Sequence, residues 1–193
     1  MKVTRIYSRH EEEIDVRELD VGDTIWLPEF TVPETTIKGN KELYFEEHKI
    51  KDTAAVYNIK DDKIYLVFDH ALFKSAMDLN NATDWEKTQL RAYLRSAFKN
   101  AMRDVGVPVA EVSLLSKDEV FGEKALPFFK NGRNRIAFEN NDSTTVWYWL
   151  KNATAVAYFC RADYYGNANY NGSSYASGFV RPCLTVNTKQ QDN

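Results

Sequence analysis

Val146-Trp147-Tyr148-Trp149-Leu150 is the stretch on which the fold turns. Three aromatic and two aliphatic side chains follow one another without a polar break. Extended chain alternates its side chains between two faces, so this segment reads as an aromatic strand with large groups on both. Upstream, positions 133–142 form a charged, Asn-rich connection. Before that, Ser116-Lys117-Asp118-Glu119 has capping-box spacing, with Gly122 as the stop of a short helix.

Further upstream lies the clearest helix. Thr83 or Asp84 can cap it, and Leu90, Tyr93, Leu94, Ala97, Phe98, Ala101 and Met102 recur at three- and four-residue spacing. Gly106 and Pro108 end it. Arg91, Arg95, Lys99 and Arg103 share its other face, which reads as a solvated surface because Glu86 and Asp104 offset the charge. Lys63-Ile64-Tyr65-Leu66-Val67-Phe68-Asp69 suits a buried central strand. Positions 38–52 read as an exposed hairpin or long loop, and Thr24-Ile25-Trp26-Leu27 as a short strand.

With 193 residues the chain fits one domain. At 44% hydrophobic and 27% charged it matches globular averages, which excludes a wholly disordered chain. The net charge of −3 offers no footprint for a phosphate backbone, so no nucleic-acid partner is expected. No apolar run approaches the roughly 20 residues of a membrane helix, so no membrane insertion is expected. Positions 1–13 lack an apolar core, and no signal peptide is read there. His10, His48 and His70 stand apart without metal-ligand spacing, and Cys160 and Cys183 read as free buried thiols. Asn140-Asn141-Asp142 is oxygen-rich but reads as a loop, so neither metal nor cofactor is expected.

Composition changes abruptly at 152–179. Of these 28 residues, 22 are Ala, Tyr, Asn, Ser, Gly or Asp. Lys, Glu, Gln, Met and Trp, which together supply 39 of the 193 residues, are absent. Turns joining edge strands would account for the Gly and Asn. Five tyrosines exceed what turns require, and Tyr with Ser, Gly and Asn is the chemistry of antibody paratopes. The absences carry a second message. An Asn codon, AAC or AAT, randomised at its adenines reaches Tyr, Ser, Asp, Gly, Ala, Thr, Val, Phe, Cys and Arg, but never those five. The segment matches what adenine-directed mutagenesis would leave.

Four motifs occur in order: Trp85-Glu86-x-x-x-Leu90-Arg91-x-Tyr93-Leu94, Val112-x-Leu114-Leu115-Ser116-x-x-Glu119-Val120-Phe121, Trp147-Tyr148-Trp149-Leu150-Lys151-Asn152, and Gly178-Phe179-Val180-Arg181-Pro182. Together they resemble a bacterial and phage domain family of C-type-lectin-like fold, also that of the formylglycine-generating enzyme. The usual elements there are Trp-Trp-Leu-Arg-Ser and Gly-Val-Arg-Pro; Lys151-Asn152 departs from the Arg-Ser. The resemblance implies a single α+β domain over 21–187, after an N-terminal extension at 1–20 and before a polar tail at 188–193. Some members are variable proteins of diversity-generating retroelements, which implies a rewritable ligand-binding stretch at about 152–179. Arg181 would be framework, paired with a carboxylate or backbone carbonyls. The sugar and calcium signatures of C-type lectins, Glu-Pro-Asn, Gln-Pro-Asp and Trp-Asn-Asp, do not occur.

The resulting expectation is a non-enzymatic display protein of a phage particle or the bacterial cytoplasm. Tyr158, Tyr164, Tyr165, Tyr170 and Tyr175 would anchor a protein or cell-surface ligand. Asn167, Asn169, Asn171, Ser173 and Ser174 would add polar contacts, and Arg161 and Asp163 the charges. Two alternatives stay open: a phage tail or other assembly module that forms a homo-oligomer, and a cysteine-dependent oxidase using Cys160 and Cys183.

Overall fold

Strand accounts for 42% of the protein and helix for 18%, so the fold is predominantly β. This overturns the α+β class expected from the resemblance to C-type-lectin-like domains. The structure is a computed structural model and describes residues 1–7, 10–140 and 142–188. Asn141 of the oxygen-rich run and residues 189–193 of the expected tail lie outside the described residues.

Two regions carry most of the correction. The first 20 residues are no appendage: Lys2–Tyr7 and His10–Asp15 form a hairpin whose first strand pairs with Thr24–Trp26. Val3, Ile14, Val16 and Leu19 from this stretch are buried, so the expected extension supplies core. Positions 38–52 likewise hold two strands. Leu43–Phe45 pairs with Thr35–Ile37, and His48–Ile50 with Phe30–Val32. Their charged residues lie between single inward apolar groups, too short an alternation to stand out from loop.

A seven-stranded antiparallel sheet forms the frame. Its order is Val109–Ser113, Cys183–Asn187, Lys63–Phe68, Thr53–Lys60, Thr24–Trp26, Lys2–Tyr7 and His10–Asp15. Lys63–Phe68 is interior to it, as its apolar run requires. The helical run packs on this frame in pieces. Asp84 caps a 3-10 turn at Trp85–Lys87, and Thr88 caps the α-helix Gln89–Tyr93 by accepting from the Arg91 amide. A π turn at Leu94–Phe98 leads into Lys99–Asp104. Tyr93 stacks on Phe45 at 3.9 Å between ring centroids, and Phe98 meets Phe30 edge-on at 5.4 Å. The basic face is partly employed: Arg103 Nε donates to the Val109 carbonyl at 3.1 Å, tying helix to sheet.

A second sheet positions the tyrosine-rich segment. It runs Phe73–Lys74, Phe179–Val180, Tyr148–Ala153, Tyr158–Ala162 and Ala168–Gly172, the last being an edge. The aromatic strand is buried on both faces. Trp149 and Phe159 enter the larger core, whereas Tyr148, Leu150, Cys160 and Ala162 enter a smaller one with Phe129 and Cys183.

The Gly178-to-Pro182 motif locks onto this strand. Arg181 is buried, and its Nε donates to the Phe68 carbonyl at 2.7 Å while Nη1 reaches the Asn134 carbonyl at 3.1 Å. The guanidinium also lies over the Tyr148 ring, 5.3 Å from its centroid. No carboxylate is among these partners; backbone carbonyls satisfy the buried cation. Among the described residues, no helix is long and apolar enough to cross a membrane.

Candidate functional site

Tyr158–Ala162 and Ala168–Gly172 form an antiparallel hairpin in register Tyr158 with Gly172, Cys160 with Tyr170, and Arg161 with Asn169. Its turn follows from the residues 163–166. Asp163 accepts the Tyr165 and Asn167 amides on one oxygen, at 2.9 and 2.8 Å, and its carbonyl accepts from the Gly166 amide at 3.0 Å. Gly166 takes φ +76, where a side chain is costly, and packs against Gly132 and Arg135. The hairpin is therefore clamped at its tip as well as its base.

At the base, the Ser173 amide donates to the Ala157 carbonyl, and the Ser173 carbonyl accepts from Met77 and Asp78. Thr154 Oγ1 accepts the Val156 and Tyr158 amides at 3.4 and 3.3 Å. Ala157 between them adopts φ +57.

All five tyrosines are exposed, from 39% for Tyr170 to 81% for Tyr165, whereas Phe159, Cys160 and Ala162 are fully buried. Strand pairing decides their directions. Tyr158 and Tyr170 stand on the Cys160 side of the sheet, while Arg161, Asn169 and Asn171 stand on the Phe159 side. Tyr175 joins that second side, its ring 5.8 Å from Trp147. Tyr164 and Tyr165 occupy the tip. The expected anchors are thus gathered on one hairpin but wrap around it rather than sharing a flat face.

The expected polar contributors separate by structural role. Asn167, Asn169 and Ser174 are exposed, and Asn171 is half-buried. Asn169 Oδ1 accepts the Tyr170 amide at 2.8 Å. Ser173 is a correction: it is buried, with its hydroxyl unpartnered among the described residues, because its backbone anchors the hairpin to 77–78. Asp163 serves the turn. The Arg161 guanidinium lies over Trp147 at 4.7 Å, and among the described residues the buried Arg161 Nε has no hydrogen-bond partner.

Two participants escape a linear reading. Lys117, from the capped turn Lys117–Val120, donates Nζ to the Tyr170 hydroxyl at 3.0 Å and lies over its ring at 5.4 Å. Trp147, read as strand core, is the platform beneath both Arg161 and Tyr175. Neither pairing has a spacing signal, since 53 residues separate Lys117 from Tyr170.

Cys160 and Cys183 are free and buried. Burial raises the Cys160 thiol above its ordinary range and pushes Cys183 up to about 12. Both groups are held as neutral thiols, the opposite of what thiolate chemistry needs.

Residues 109–188, which include the whole hairpin, match a family model described as a domain of unknown function (DUF6273). No curated protein and no solved structure matches the chain.

Proposed function

We propose that this protein is a ligand-binding display protein in which the 158–175 hairpin meets a protein or cell-surface target. The observation that carries this reading is the division of labour within one short segment. Phe159, Cys160 and Ala162 point inward, while five tyrosines are left to solvent. Large amphipathic rings on a clamped turn lose little entropy on binding, and such residues commonly dominate interface energy.

Diversification by adenine-directed mutagenesis belongs to the same proposal. The absent residue types support it. Ala157 adds a physical argument, because φ +57 suits Asn or Gly, and an Ala there is what a rewritten Asn codon can leave. The place of action is a phage particle or the bacterial interior. Sequencing the DNA beside the gene tests the diversification. A near-copy of the segment encoding 152–179, differing only at adenines and lying next to a reverse transcriptase gene, is the expected finding. Sister copies that differ evenly along their length would refute it.

An assembly module is the second reading, favoured by the edge position of Ala168–Gly172, whose outer side could pair with another strand. Asn169 counts against it by capping the Tyr170 amide. Solution mass separates the two: a stable oligomer burying Tyr164, Tyr165 and Tyr170 belongs to assembly, a monomer to display.

A further inference from the structure

Asp52 and His70 make a unit that the hairpin does not involve. Asp52 is 4% exposed. One of its oxygens takes His70 Nδ1 at 2.6 Å and the other takes the His70 amide at 3.1 Å. Held through ring and backbone by one carboxylate, the imidazole has a single orientation. A carboxylate accepts and does not donate, so Nδ1 carries the hydrogen, and in the neutral ring Nε2 is then the acceptor. Burial raises the Asp52 carboxyl, and the His70 donors oppose that rise.

His70 keeps a third of its side chain exposed and lines an open pocket of about 720 Å³. That volume is of ligand size. Trp26 and Phe138, each more than a third exposed, line the same pocket, and the Trp26 indole is fixed by its bond to Glu11 at 2.9 Å. Lys51, Asp52 and Asp142 bring charges of both signs to it. Three or more His, Cys, Asp or Glu side chains able to hold a metal ion are not grouped anywhere among the described residues. An oriented imidazole whose neutral ring offers one acceptor, in the same pocket as two accessible aromatic surfaces, fits a ligand with a flat ring and one donor.

We propose that this pocket is a second binding site, for a small ring compound that presents a hydroxyl or N–H to His70 Nε2. Phenol is the probe, and anisole, its methyl ether, the control that keeps the ring and removes the donor. Saturation-transfer NMR on the full chain, with ¹⁵N shifts of the His70 ring, reads both occupancy and the bond. Phenol should receive saturation and move Nε2 more than Nδ1, anisole should do neither, and His70→Phe should remove the phenol effect. Equal behaviour of phenol and anisole, an unmoved Nε2, or a starting tautomer with hydrogen on Nε2 would overturn the site. The two-probe comparison on the unaltered protein decides the matter even if His70→Phe fails to fold. Tyr164 and Tyr165 variants should leave it unchanged, which separates this site from the hairpin.

Discussion

Trp149 and Gly178 occupy each other's space: a Cβ placed on Gly178 would fall within the Trp149 indole, whose Nε1 donates to the Ser75 carbonyl at 2.9 Å. The glycine is required by the absence of a side chain, not by backbone conformation. Gly178→Ala must displace a buried indole from its hydrogen bond, and overpacking of this kind costs about 1–3 kcal/mol or more. Urea denaturation should show at least that loss. Gly172→Ala, where a Cβ meets open space, should change stability far less.

Ala157 offers the reverse experiment. Its left-handed φ of +57 carries a steric cost of about 1–2 kcal/mol for a residue with a Cβ. Ala157→Gly should therefore raise the denaturation midpoint, with a gain of roughly 1 kcal/mol. A loss would mean that Ala157 contributes packing its half-buried position does not suggest.

Phe159 and Tyr165 lie six positions apart in the tyrosine-rich segment and should behave oppositely. Phe159 is fully buried in the larger core, so Phe159→Ala should cost about 3–5 kcal/mol. Tyr165 is the most exposed of the five tyrosines, and Tyr165→Ala should stay within about 0.5 kcal/mol. Paired denaturation curves give both numbers.

Cys183 predicts an alkaline dependence. Its thiol is raised to about 12 in the folded protein, against about 8.5 in an unfolded chain. The native state therefore holds a proton that the unfolded state releases. Stability from this group is complete below about pH 8.5 and is lost as pH rises towards 12. Cys183→Ala should flatten that fall in denaturation midpoints, whatever its effect at pH 7. Ellman's reagent should react with neither thiol until the protein unfolds.

The sequence disclosed what is local. Strand Lys63–Phe68 and the Ser116–Glu119 capping box follow from contiguous residues and appear as read, whereas the aromatic run read as one strand at 146–150 is divided between Thr145–Val146 and Tyr148–Ala153. Even the Trp149–Gly178 contact joins two segments the sequence singled out. The α+β expectation failed because one helix has strong periodicity while strands of two or three residues, such as Leu43–Phe45, have almost none. The tyrosines were legible through composition, but their wrapping of the hairpin depends on register, which no single strand encodes. Ser173 was misassigned for that reason. The Asp52–His70 pair depends on neighbouring strands meeting 18 residues apart, and spacing carries no trace of it.

The central claim is that the exposed tyrosines belong to a ligand and not to the fold. Replacing Tyr158, Tyr164, Tyr165, Tyr170 and Tyr175 together with alanine and following thermal unfolding tests it most directly. The account predicts a cooperative transition with Tm lowered by no more than about 5 °C, equivalent to roughly 1–2 kcal/mol for a chain this long. Loss of the cooperative transition, or a fall beyond about 10 °C, would place those rings in the structural core and contradict it.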